Sequence, residues 1–145
     1  SFIYITHDLT TAYQVADNIV ILYQGSVAEA GSVEQVIKNP KHPYTQLLVE
    51  SIPQPDPKRR WDEYNVGATG GARETNGCKF ADRCPSVMEV CWSKVPDLFR
   101  PRDHGVVSCF LHETDRALTE LDIAATFVAP NRGNDNGRES QTAAR

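Results

Sequence analysis

Four cysteines, Cys78, Cys84, Cys91 and Cys109, are spaced Cys78-x5-Cys84-x6-Cys91-x17-Cys109, with Pro85 directly after Cys84. Cysteine binds metals as the thiolate, and four thiolates supply either the tetrahedral shell of a structural Zn²⁺ or the four attachment points of an iron–sulfur cluster. Two disulfides are the competing use of the same residues. No pair is closer than five intervening residues, wider than the C-x2-C to C-x4-C knuckles common in zinc sites. That spacing weakens zinc and leaves a cluster, zinc, disulfides and an empty set of thiols open. Phe80, Trp92, Phe99 and Phe110 lie in the same stretch, available to shield such a site or simply to pack a small core.

The second candidate is His7, in Thr6-His7-Asp8. Phe2-Ile3-Tyr4-Ile5 before it is a β-prone apolar run without polar alternation, the pattern of a strand buried on both faces of a parallel sheet. Ligands of open parallel sheets sit beyond the carboxyl ends of the strands, which places His7 where a phosphate would be met. Asp8 is the expected N-cap of a helix over Leu9 to Ala16, with Leu9, Ala12, Tyr13 and Ala16 at helical spacing, so it reads as a cap and not as a general base. His42 stands before Pro43, a residue suited to the first helical position, and has no acid, base or nucleophile beside it in sequence, so it reads as helix initiation.

The elements that must position these residues follow from local signals. Ile19 to Tyr23 is a second buried-strand run, Gln24-Gly25 a tight turn, and Ser26 to Ala30 a hairpin partner at the edge of the sheet. Ser32-Val33-Glu34-Gln35 has the form of a capping box for a short helix with Val33, Val36 and Ile37 on its buried stripe, ending at Asn39-Pro40. Pro43 opens the next helix, with Tyr44, Leu47, Leu48 and Ile52 as its apolar face. Three prolines between Pro53 and Pro57, then a polar stretch with Gly67, Gly70 and Gly71, mark a linker. The expected organisation is therefore 1–52 as one unit, 53–77 as linker, 78–112 as a four-cysteine extension, and 113–145 as a tail. Glu113 to Val128 has weak helical character through Ala117, Leu118, Leu121 and Ile123, and Asn131 to Arg145 reads as disordered.

The order of these features resembles the end of an ABC-transporter nucleotide-binding domain: Ile5-Thr6-His7-Asp8, a helix carrying Val15-Ala16-Asp17, the strand Ile19 to Tyr23, the turn at Gly25 and the Gly31-Ser32 helix. Asn39-Pro40-Lys41-His42-Pro43-Tyr44-Thr45 narrows the resemblance to the oligopeptide/dipeptide importer branch, and Cys78-Lys79-Phe80-Ala81-Asp82-Arg83-Cys84-Pro85 is similar to that branch's cysteine-bearing extension. The fold implied is α/β, the C-terminal piece of a P-loop ATPase domain followed by a small irregular four-cysteine metal-binding extension. The resemblance implies that His7 is the switch histidine contacting the γ-phosphate of ATP, with Mg²⁺ as the companion ion. It also implies that Cys78, Cys84, Cys91 and Cys109 ligate a 4Fe-4S cluster, with Zn²⁺ as the alternative and disulfides disfavoured in a reducing compartment. Implied partners are membrane-spanning permease subunits, a second ATP-binding subunit as homo- or heterodimer, and indirectly an extracytoplasmic solute-binding protein, at the cytoplasmic face of the membrane. The solute, whether peptide, nickel, glutathione or saccharide, is not encoded here.

Departures from the family pattern matter equally. The chain has no G-x-x-x-x-G-K-[ST] phosphate loop, no Leu-Ser-Gly-Gly signature and no apolar run ending in Asp-Glu. It begins at Ser1 without a Met or a basic leader, so it is expected to be a piece of a longer subunit, unable by itself to bind or hydrolyse ATP. Its 145 residues carry a net charge of −4 and a sequence pI near 5.5, against bulk attraction to nucleic acid or anionic membrane. Between Cys78 and His112 five Lys or Arg face four Asp or Glu with no basic stripe. That disfavours nucleic acid as the partner of the rival reading, a stand-alone four-cysteine module binding nucleic acid or protein.

Overall fold

Gln24 and Gly25, with φ of 46° and 77°, form the two-residue left-handed turn that matches the twist of a tight hairpin. It joins β1 (Asn18–Tyr23) to β2 (Ser26–Ser32), paired antiparallel from Tyr23↔Ser26 to Asn18↔Ser32. The computed structural model describes residues 2–52, 76–119 and 123–127. Before the hairpin stands α1 (Leu9–Val15), capped as expected: the Asp8 carboxylate accepts the Thr10 N–H at 2.9 Å. After it come α2 (Val33–Lys38) and α3 (Pro43–Glu50).

The cysteine segment adds a short 3₁₀ turn (Ala81–Arg83), α4 (Glu89–Ser93), β3 (Phe99–Arg102), β4 (Gly105–Val107), a second 3₁₀ turn (Phe110–His112) and β5 (Arg116–Ala117). A last helix, α5, spans Ile123–Thr126. All five strands form one antiparallel sheet in the order β1-β2-β4-β3-β5. β4 lies directly on β2, Glu29 opposite Val107 and Gly31 opposite Gly105. The cysteine segment is thus built onto the first fifty residues, which corrects the stand-alone alternative. β1 holds the expected edge, whereas β2 is interior.

Ile21, Ala28 and Val36 form the buried core, with Leu9, Ile19, Tyr23, Tyr44 and Leu48 packed around it. Fully burying side chains of this size stabilises by about 1.5–3 kcal/mol each. β1 is buried on one face only: Ile21 points inward while Val20 and Leu22 are exposed. Phe2–Ile5 is not a strand; Phe2, Ile3 and Ile5 are 76, 94 and 92% exposed. A strand exists only as one side of a ladder, and no described residue offers this run a parallel neighbour.

Three smaller expectations also change. Ser32 precedes α2 without a side-chain capping bond, because it ends β2 and its N–H is taken by the His104 carbonyl at 3.0 Å. Glu113 to Val128 is no single helix, since Arg116 and Ala117 pair with Arg100 and Phe99 and the Leu118 N–H donates to the Leu98 carbonyl at 2.7 Å. Tyr13, expected on the buried stripe of α1, is 40% exposed. Residues 53–75 of the expected 53–77 linker and the tail from Asn131 lie outside the described residues.

Candidate functional site

All four cysteines line one pocket, together with His42, Phe80, Met88, Phe110 and Leu111. The expected shielding aromatics divide: Phe80 and Phe110 face the pocket, whereas Phe99 is buried in β3 and Trp92 is not on its wall. Local backbone bonds fold the walls. The Ala81 N–H donates to the Cys78 carbonyl at 3.1 Å, the Cys91 N–H to Met88 at 3.0 Å, and the His112 N–H to Cys109 at 3.0 Å. A bond from the Cys78 N–H to the Cys91 carbonyl at 2.8 Å closes the first turn onto α4.

None of the four is in a disulfide. Burial pushes the Cys78 and Cys84 thiols above their ordinary value and Cys109 to about 11, and the charges of neighbouring cysteines add to the shift. Backbone N–H groups oppose it: those of Phe80 and Ala81 meet Cys78, Ser86 meets Cys84, and Leu111 meets Cys109. The Met88 N–H donates to Cys91 Sγ at 3.5 Å.

The structure lends the expected metal site no support. Among the described residues no three His, Cys, Asp or Glu side chains stand together as the ligands of one ion. Cys91 is buried and the other three cysteines are half-buried, and together they border a cavity of about 10 Å³, room for about one water. Four sulfurs from three turns and one helix converge on one apolar pocket, each met by a backbone N–H that favours the thiolate.

One wall is held by a charged device the sequence did not reveal. Glu29, at the centre of β2, is 0% exposed. Its carboxylate accepts the Lys41 N–H at 3.0 Å, the His42 N–H at 2.9 Å and Arg102 Nη2 at 2.7 Å. Arg102 Nη1 donates in turn to the Asn39 carbonyl at 2.6 Å. The turn 39–42 is thereby fastened to both β2 and β3. His42, 3% exposed, caps α3 with Nδ1 accepting the Tyr44 N–H at 3.0 Å, which bears out its reading as helix initiation. Burial first, and the nearby His112 second, lower its pKa to about 4. Phe80 packs against Tyr23, Tyr44 and His42 at centroid distances of 5.2, 5.4 and 5.8 Å, joining the cysteine turn to the hairpin and α3.

His7 is exposed, in the bend between Phe2–Ile5 and α1, and is not among the residues of the cysteine pocket. The structure therefore presents two separate candidate sites, His7 and the sulfur pocket.

Comparison with known proteins gives these sites a context. A family described as the oligopeptide/dipeptide transporter C-terminal region matches residues 28–91, from β2 through the histidine turn to Cys91. The chain is 37% identical over 120 residues to the oligopeptide transport ATP-binding protein AppD of Bacillus subtilis, covering 81% of this chain and 36% of the relative. Two putative peptide import ATP-binding proteins of Brucella ovis are 35% and 32% identical over 114 and 111 residues, covering 74% and 75% of this chain and 34% and 35% of the relatives. The chain spans about a third of the length of these relatives. The matched stretch takes in most of β2, the His42 turn and three of the four cysteines, so residues 28–91 are similar to the C-terminal region of oligopeptide/dipeptide transporters.

Proposed function

We propose that this chain is part of an ATP-binding subunit that powers import of oligopeptides or dipeptides across the cytoplasmic membrane. The observation that carries the reading is the run of peptide-import ATP-binding relatives, each matched over about three quarters or more of this chain. ATP with Mg²⁺ is the energy source, bound by the phosphate loop and carboxylates that this chain lacks. The partners are membrane-spanning permease subunits, a second ATP-binding subunit, and a solute-binding protein reached through the permeases. The place of action is the cytoplasmic face of the membrane; no helix among the described residues is long and apolar enough to cross it.

In this reading His7 is the residue of the chain that meets the nucleotide. Its exposure at the head of α1 leaves the ring accessible to a ligand. One imidazole nitrogen donates to a γ-phosphate oxygen while the other holds the attacking water or its carboxylate partner, so the ring reports whether the third phosphate is present. Asp8 keeps its capping bond and takes no proton.

The sulfur pocket is proposed to hold a 4Fe-4S cluster through Cys78, Cys84, Cys91 and Cys109. The support is the convergence of four N–H-bonded sulfurs on one wall. A single Zn²⁺ is the weaker occupant, because no three ligands surround one position among the described residues. When bound, the group supplies four metal–sulfur links that tie the segment together, a folding contribution that requires no electron transfer.

ATP-dependent uptake of a labelled peptide tests the transport reading. It is measured in proteoliposomes carrying the permeases and a full-length subunit that contains this segment. Uptake above the ATP-free control supports it, and ATP turnover without peptide uptake contradicts it. Iron and acid-labile sulfide in anaerobically purified chain, lost in Cys84→Ser, test the cluster; stoichiometric zinc or neither element contradicts it.

A further inference from the structure

His7 is exposed in the bend between Phe2–Ile5 and α1, so packing does not set the direction of its ring. The run before it is exposed as well and lends it no support. A ring that must meet one phosphate oxygen needs a fixed origin, since a misplacement of about 1 Å can cost about 10²-fold in rate. The side chains on either side of His7 supply that origin. The Thr6 hydroxyl oxygen accepts the Asp8 N–H at 3.0 Å, a bond that reaches across His7. The loop of atoms it closes contains both backbone dihedrals of His7, and so fixes the direction in which the side chain leaves the backbone.

The far end of that bond is anchored to the core. The Asp8 carboxylate accepts the Thr10 N–H at 2.9 Å and the Thr11 hydroxyl, and the Asp8 carbonyl accepts the Ala12 N–H at 3.1 Å. Asp8 is thereby fastened to the first turn of α1, whose Ala12 is buried and whose Leu9 packs against Ile21, Ala28 and Val36. The Thr11 hydroxyl first, and the Thr10 N–H second, hold the Asp8 carboxyl below its ordinary pKa, so it stays an acceptor through the neutral range. The cap alone would fix Asp8 and leave His7 free to swing. The Thr6 bond carries the anchor one residue further, onto His7.

We propose that Thr6 is a positioning residue for His7, its hydroxyl holding the bend from which the imidazole is presented to the γ-phosphate. The proposal rests on the reading of His7 as the residue that meets the nucleotide. Thr6 itself touches no reacting atom and acts through the Asp8 N–H. A threonine suits the place because its β-branch restricts χ1, which lowers the entropy lost in holding the hydroxyl on the backbone. Loss of one neutral hydrogen bond should lower the population of the presented geometry about two- to tenfold. That is less than the loss of about 10²-fold expected when the imidazole itself is deleted.

Two substitutions separate the hydroxyl from the shape of the side chain. Thr6→Val keeps the β-branch and loses the acceptor, whereas Thr6→Ser keeps the acceptor. In a full-length subunit containing this segment, single-turnover ATP hydrolysis should fall about two- to tenfold in Thr6→Val at unchanged ATP affinity, and stay near wild type in Thr6→Ser. Thr6→Val added to His7→Ala should lower turnover no further, because a bond that works through the imidazole then has nothing to position. In the 145-residue chain the Asp8 amide should exchange its hydrogen faster in Thr6→Val than in wild type or Thr6→Ser. Wild-type turnover in Thr6→Val, equal losses in both variants, a further loss on top of His7→Ala, weakened ATP affinity in place of slowed turnover, or unchanged Asp8 exchange overturns the proposal while leaving the His7 reading intact. Wild-type turnover in His7→Ala overturns that reading, and this proposal with it.

Discussion

Replacing Arg102 by Met removes the guanidinium facing Glu29, a carboxylate with no exposure to water, and leaves a buried charge without its cation. Breaking a buried pair by deleting one partner costs about 3–5 kcal/mol. Three backbone N–H contacts, two from Lys41 and one from His42, still neutralise part of the charge, which points to the lower end, about 3 kcal/mol. Loss of the Arg102 bond to the Asn39 carbonyl adds to this, because that bond is charge-assisted. Replacing both partners, as Glu29→Leu with Arg102→Met, removes the buried charge but strands the Lys41 and His42 amides, at about 1–3 kcal/mol for each unsatisfied group. The double variant should therefore recover only part of the loss. Urea unfolding of the 145-residue chain followed by far-UV circular dichroism measures both, as a lowered midpoint at unchanged slope. An Arg102→Met variant within about 0.5 kcal/mol of wild type, the ordinary range for a surface substitution, would refute the assignment of Glu29 and Arg102 as the clamp on the His42 turn.

Stability of the metal-free chain should fall as pH drops from about 6.5 to about 4. His42 is depressed in the fold, so the unfolded chain binds its proton first, and the shift corresponds to about 3 kcal/mol lost across that window. His42→Asn should flatten the slope; an unchanged slope in that variant would assign it to another group. Phe80→Ala deletes the ring shared by Tyr23, Tyr44 and His42 and should cost about 3–5 kcal/mol, read as a lowered urea midpoint; a loss under about 1 kcal/mol would show that the cysteine turn is held by other contacts. Gly77→Ala should loosen the same turn, because a Cβ there meets the Cys91 and Lys94 carbonyls. Faster hydrogen exchange at the Cys78 amide would register it, and unchanged exchange would argue that the backbone yields without strain.

Elements with purely local signals were legible in the sequence. Asp8 caps α1, Gln24-Gly25 turns the hairpin, and Pro43 opens α3 because each depends on groups a few residues apart. Phe2–Ile5 failed for the opposite reason: an apolar run states that a strand would be buried, but the ladder it needs is not among the described residues. The β2–β4 pairing joins residues more than seventy positions apart, and no periodicity encodes which edge a later strand will choose. β5 shows the same effect, where two residues of weak helical pattern were drawn onto the open edge of β3.

The sites divide in the same way. The cysteines announced themselves by type, and their convergence on one pocket follows from short turns, but their distance from one another is a tertiary property. Glu29 passed unnoticed because a glutamate in an alternating strand reads as a solvent-facing residue; its only signal was the all-small, uncharged company of Ala28, Ala30 and Gly31. His42 was rightly read as a helix start, and its place on the wall of the cysteine pocket came into view only with the fold.

The most direct test of the account is ATP turnover by a full-length subunit containing this segment, compared between wild type and His7→Ala under single-turnover conditions. The account predicts ATP affinity largely retained and turnover reduced by about 10²-fold or more, the scale of one lost transition-state contact. Wild-type turnover in His7→Ala would contradict it.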